Sequence, residues 1–377
     1  MCSTANRSVP LAHADVAINT LKLLLKENDK ESKVISPISL VIALSMVYAG
    51  AKGITLQEMQ KLLANEAPAQ GLHETLNWFL EEMQKNENKD VKLLAANRVY
   101  VKEGFKLLES FKETITKYYY GEFKEINFEE NFKAADTMNA FVEENTNNLI
   151  KDLISPDMLD KETRLVLINA LYFKGTWEKE FKKKFTHTRT FYGCHGENKE
   201  VQMMNKQGRH LYYEDEFYQF VMIPYKQGDT FMCIALPKKK SNLLKQIGDF
   251  TGTMYMSLTD LATEQIVDIN LPQFKLETSW NCNETLKKLG MPTAFSKFAD
   301  FSGITEEEPL CISDVIQKAC IEVNEEGTEA AAATAVVMMR MTCIMEPEIP
   351  IEFTADHPFM YFIVRPYHRI LFAGIYQ

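Results

Sequence analysis

The chain has 377 residues, 46% of them hydrophobic and 25% charged, the balance of a soluble globular protein with enough apolar mass for a large core. Its 42 Lys and Arg against 52 Asp and Glu give a net charge of −10, which argues against broad electrostatic attraction to nucleic acid or anionic membranes. The longest apolar run, Leu40 to Ala51, stops at 12 residues, short of the roughly 20 that a membrane-spanning helix needs.

The N-terminal stretch has no basic start leading into an apolar segment, and Lys22 interrupts its apolar residues. It reads as an amphipathic helix and not as a leader. The cytoplasm is the expected compartment, with unconventional export or earlier removal of a leader as the alternative. Ser36-Pro37 sets an N-cap residue and a first-turn proline ahead of ISLVIALSMVYAGAKG, which predicts a mostly buried helix closed near Gly50 or Gly53. Further helices are predicted over Gly71 to Lys85, Lys106 to Tyr118 and Ala134 to Asp152, so the first 150 residues read as mainly helical.

From Thr163 the pattern changes. TRLVLINALYFKGTW is a continuous apolar run that suits a strand covered on both faces. Shorter strand signals follow in RHLYYEDEFYQFVMIPY, TFMCIALP and QIVDINLPQF, then a short helix over Asn281 to Lys288. Residues 325–343, EEGTEAAAATAVVMMRMTC, give conflicting signals: four alanines favour helix, and the Val and Met residues after them favour strand or loop. HPFMYFIV and RILFAGIY close the chain as two strands. With no linker, composition break or repeat, a single domain over 1–377 of helices and mixed sheets is expected.

Motifs for catalysis are missing. There is no GxSxG, HExxH, P-loop or GxGxxG pattern, and the seven histidines are scattered. The seven cysteines are equally scattered, with no CxxC pair, which argues against a disulfide framework and against a zinc site. Neither an enzyme nor a metal or cofactor is expected.

Several segments together resemble the serpin family, serine protease inhibitors, across essentially the whole chain. They are VISPISLVIALSMVYAGAKGIT, LVLINALYFKGTW, LPQFKLETSWNCNETLKKLGMPTAFSKFADFSGI, ISDVIQKACIEVNEEGTEAAAATA and FTADHPFMYFIV with ILFAG. Their order and spacing make the match specific, and with no leader expected the chain resembles the family's intracellular ovalbumin-like group. The resemblance implies an α+β fold of about three β-sheets surrounded by eight or nine helices, with an exposed reactive-centre loop at about 325–347. It also implies an inhibitor that offers this loop as bait, is cut, holds the protease as an acyl-enzyme, and inserts the loop into the main sheet. Such insertion is one form of strand addition. A serpin serving as chaperone, carrier or storage protein is the alternative.

The resemblance assigns the hinge to Glu325, Glu326, Gly327, Thr328, Glu329, Ala330, Ala331, Ala332, Ala333 and Thr334. As a strand this stretch would send Thr328, Ala330, Ala332 and Thr334 to one face, leaving Glu329 on the other. Neither a proline nor a charge after Glu329 opposes insertion before Arg340. The residue fourteen places after Gly327 is Met341, so the reactive bond is expected at Met341-Thr342, with Arg340-Met341 as the alternative. Met at that place suits a chymotrypsin- or elastase-like protease, and Arg a trypsin-like one.

Ser36, Ser39, Asn169, Trp177 and Gln317 match the family's sheet-opening region, and Glu325 matches a hinge-side acid that often forms an ion pair. Gln317 stands where the family usually has a histidine, so titration at that place is not expected. GLHETLNWFLEEMQK is acidic, which argues against heparin activation there, and FKKKF and PKKK read as solvated ends. The expected partner is a target serine protease in covalent complex, with a cysteine protease as a cross-class alternative. The protein is expected to be a monomer with no nucleic-acid or membrane partner.

Overall fold

The computed structural model describes residues 8–326 and 349–377, except 66, 86–90, 195, 227, 241, 242, 308 and 367. The helices among them are α1 (Ser8–Glu27), α2 (Pro37–Tyr48), α3 (Gly53–Ala64), α4 (Ala69–Lys85), α5 (Glu109–Tyr119), α6 (Asn131–Asn145), α7 (Leu243–Asp249), α8 (Gly252–Leu261) and α9 (Asn283–Lys288). The strands are β1 (Lys33–Ile35), β2 (Val91–Lys102), β3 (Phe123–Ile126), β4 (Leu165–Gly175), β5 (His187–Tyr192), β6 (Asn198–Glu214) and β7 (Tyr218–Pro224). They continue with β8 (Phe231–Pro237), β9 (Thr263–Pro272), β10 (Phe274–Asn281), β11 (Asp314–Val323), β12 (Ile351–Thr354), β13 (Phe359–Arg365) and β14 (Arg369–Tyr376). None of the described helices is long and apolar enough to cross a membrane.

Among the described residues, helices and strands combine into an α+β architecture of two hydrogen-bonded sheets. One has five strands in the order β10-β11-β4-β2-β3. The other has nine, in the order β1-β14-β13-β8-β7-β6-β9-β12, with β5 on β6. The three sheets expected from the sequence are joined into two because β6 is 17 residues long. Its first part pairs with β5, its last part with β7, and its middle with β9.

All twelve residues of α2 are buried, so this helix has no polar face. It lies between the sheets, against β2, β4 and β14, and with them forms the main apolar core. At its C-terminal end a Cβ on Gly50 would lie 2.2 Å from Ile304 Cγ1, which explains a glycine there. The Gly303 amide donates to the Gly50 carbonyl at 2.9 Å and seals that contact. A second core packs α1, α7 and α8 on the nine-stranded sheet, and a third packs α6 on the other face of the five-stranded one.

Two expectations are corrected. Helix α6 ends at Asn145, not near Asp152, because Asn147 and Asn148 take left-handed φ of 50° and 58°, a conformation that asparagine tolerates and a helix cannot continue through. The first 150 residues are also less helical than their pattern suggests. VKLLAANRVYVK forms the 12-residue strand β2, covered by α2 on one face and α6 on the other.

Candidate functional site

The centre of the five-stranded sheet is the pair β4 and β11, which run parallel with Asp314 opposite Val166 and Ile321 opposite Phe173. Two sets of polar contacts hold this pair, one beneath its middle and one at its C-terminal end.

Beneath the middle, Ser36 caps α2 with extended backbone, and its Oγ accepts from the Ser39 amide at 3.4 Å. The same hydroxyl donates to the Leu371 carbonyl of β14 at 2.9 Å, and Ser39 Oγ donates to the Ser36 carbonyl at 3.3 Å. Gln317 on β11 completes the tie: its Oε1 accepts from the Ser36 amide at 3.0 Å and its Nε2 donates to the Ser36 carbonyl at 2.9 Å. The start of α2 is thereby fixed to both sheets by buried groups.

Gln317 stands in register with Asn169, and Asn169 with Asn97, so three amides form a row across β11, β4 and β2. Asn169 is fully buried, and neither its Oδ1 nor its Nδ2 has a hydrogen-bond partner among the described residues. Nothing in AANRV marked Asn97 as part of this row; only the strand register reveals it.

At the C-terminal ends of β4 and β11, the segment after β4 grips the residues after β11. Trp177, 1% exposed, stacks on Tyr225 at 4.3 Å, and its Nε1 donates to the Asn324 carbonyl at 2.8 Å. The Phe181 amide donates to the Glu325 carbonyl at 3.0 Å, and Thr186 Oγ1 donates to Glu325 Oε1 at 2.7 Å. The ion pair here is made by the next residue: Glu326 meets Lys183 Nζ at 2.5 Å, which raises the Lys183 pKa. Lys183 belongs to FKKKF, expected to be only a solvated end, and it is exposed while serving this contact. Just below, Lys174 on β4 pairs with Glu322 on β11 at 3.0 Å.

The chain leaves β11 through this grip and is next described at Ile349, ahead of the edge strand β12 of the other sheet. A segment connecting two sheets, held at its root beside the central strand pair, is what a bait loop requires. A family model described as Serpin (serine protease inhibitor) matches residues 11–377. The chain belongs to the serpin family.

It is 38% identical over 372 residues to Serpin B6 of Macaca fascicularis, covering 96% of this chain and 97% of that one. Antichymotrypsin-2 of Bombyx mori is 34% identical over 344 residues, covering 90% of each chain. Among solved structures, uncleaved ovalbumin superposes with a TM-score of 0.85 at 27% identity, covering 98% of this chain and 99% of ovalbumin. Membership places this serpin among protease inhibitors and not among enzymes.

Of the residues singled out in the sequence, the serpin fold brings Ser36, Ser39, Asn169 and Gln317 together under the sheet. Trp177, Glu325 and Glu326 meet at its end through Asn324 and the segment after β4. Gly327, Thr328, Glu329, Ala330, Ala331, Ala332, Ala333, Thr334, Arg340, Met341 and Thr342 lie outside the described residues. Sequence reasoning missed Phe181 and Thr186, whose contacts with Glu325 depend on the fold and leave no local pattern.

Proposed function

We propose that this serpin is an inhibitory one, a single domain that traps serine proteases covalently after cleavage at Met341-Thr342. The observation that carries this reading is the direct parallel pairing of β4 and β11 at the root of the loop. A segment that turned back from β11 and entered between the two strands would be antiparallel to both. One parallel ladder would then give way to two antiparallel ones, the slightly more stable pairing per residue.

Residues 328–337 suit that place, being small or β-branched apart from Glu329. At about 3.3 Å per residue they span roughly 33 Å, the length of β4 and β11. The proposed partner is a chymotrypsin- or elastase-like protease, with Arg340-Met341 as the bond a trypsin-like enzyme would cut. The proposed compartment is the cytoplasm and the proposed state a monomer.

Incubation with chymotrypsin, elastase and trypsin tests the reading. An SDS-stable adduct and a released C-terminal fragment starting at Thr342 are expected, and Thr328→Arg is expected to preserve cleavage while abolishing the adduct, since that charge would be buried on insertion. Cleavage with no adduct across the panel overturns trapping in favour of a carrier or chaperone role.

A further inference from the structure

Behind the grip lies a lysine that none of its contacts with the hinge uses. Lys206, in the middle of β6, is 9% exposed, and its Nζ donates to the Lys179 carbonyl at 3.0 Å. The same nitrogen stands 4.3 Å from the centre of the Phe181 ring and 5.1 Å from that of Trp177, within reach of both π faces. Its three contacts therefore fall on the residues that carry the hinge or lie between them. Trp177 holds the Asn324 carbonyl, Phe181 holds the Glu325 carbonyl, and Lys179 lies between the two in sequence.

We propose that Lys206 is a positioning residue for this gate, an amine latch on β6 that keeps Trp177–Phe181 seated against Asn324–Glu325. The consequence for trapping rests on the inhibitor reading above; the latch itself is a property of the closed sheet.

The latch is coupled to pH. Burial lowers the Lys206 pKa from 10.5 to about 7, with Glu178 opposing the shift and Lys179 adding to it. The other charges around it are engaged or neutral. His210 on the same strand is held neutral by burial, Lys183 on the turn beyond Phe181 is paired with Glu326, and Asp268 on the neighbouring β9 accepts from Asn205. When the segment lifts and water reaches the amine, its ordinary proton affinity returns. Above pH 7 opening takes up a proton, so the closed gate gains stability as pH rises toward about 10; below pH 7 both states are protonated and the dependence is flat.

Hydrogen–deuterium exchange of peptides covering 177–186, on the uncut full chain at pH 6.5 to 9 and corrected for intrinsic rates, reads the gate without any protease. In the parent protein protection should be flat below pH 7 and then rise, approaching tenfold per pH unit for one coupled proton. Lys206→Met, which keeps the stem and removes both the donor and the titrating group, should lose the rise, its protection no longer increasing from pH 7 to 9. Lys206→Arg should retain protection at pH 7 and also lose the rise, because a guanidinium does not titrate there. A flat profile in the parent, or the parent's profile in both variants, overturns the latch. If Lys206→Met fails to fold, Lys206→Arg with the parent's profile overturns it alone. The adduct assay on the same samples separates the two ideas: a latch profile without an adduct sinks inhibition and leaves the latch standing.

Discussion

Three histidines are held neutral by burial. The pKa values of His13 and His73 fall to about 4 and that of His210 to about 3; Arg369 adds to the effect at His13, and Lys206 and Lys179 add to it at His210. His73 also contacts the buried Tyr119 hydroxyl through Nδ1 at 2.5 Å. In the unfolded chain each would bind a proton near pH 6.5, while the folded chain would not. The stability they leave intact above pH 6.5 is therefore lost as pH falls toward 4. Most carboxylates titrate lower, so the interval from pH 7 to 5 reports mainly on these histidines, and a loss on the order of several kcal/mol is expected. Urea midpoints at the two pH values measure it, and equal midpoints would contradict it. This sensitivity has no source at Gln317, where the family's usual histidine is replaced by an amide that cannot titrate.

At the scale of elements, the tie between α2 and β11 depends on one side chain. Gln317→Ala removes the acceptor for the Ser36 amide and a donor to the Ser36 carbonyl, both buried. The Ser36 carbonyl keeps the Ser39 hydroxyl and the Leu40 amide, so only the Ser36 amide is left unpaired, a cost of about 1–3 kcal/mol read as a lower urea midpoint at unchanged slope. A change under about 0.5 kcal/mol would show that the tie is dispensable. The elements also differ in how far the sequence announced them. Helix α2 was legible because Ser36-Pro37 marks its start and its apolar run has no strand-like alternation. Strand β4 was legible because burial on both faces makes its sequence continuously apolar. Strand β2 is covered on both faces less completely and carries Lys92, Asn97, Arg98 and Lys102, which obscured it. Arg98 is accommodated by Glu122 at 2.6 Å and by the face of Phe141 at 3.6 Å, contacts supplied by distant parts of the chain. The same reason hid Lys206 and Asn97: a buried polar residue is recognisable only through partners that the fold supplies. The family motifs revealed Ser36, Asn169, Trp177 and Gln317, whereas the grip of Phe181 and Thr186 on Glu325 required coordinates.

For the whole molecule, the inhibitor reading makes the five-stranded sheet the less stable of two arrangements. After cleavage in the loop by a protease that escapes trapping, the melting temperature should rise by well over 10 °C, because the inserted strand adds two ladders and buries Ala, Thr and Val side chains. Differential scanning calorimetry of cut and uncut protein checks this. An unchanged or lower melting temperature would mean that the sheet stays closed when the loop is free to enter.

The parallel pairing of β4 with β11 also has a bearing on how the chain is made. Both strands precede residues 327–348, and at about 5–20 residues per second the ribosome releases them before that segment. Strand β11 thus emerges beside β4 ahead of its competitor for the space between them. Order of birth favours the closed sheet, and the protein can reach its working form first even where another arrangement lies lower in free energy.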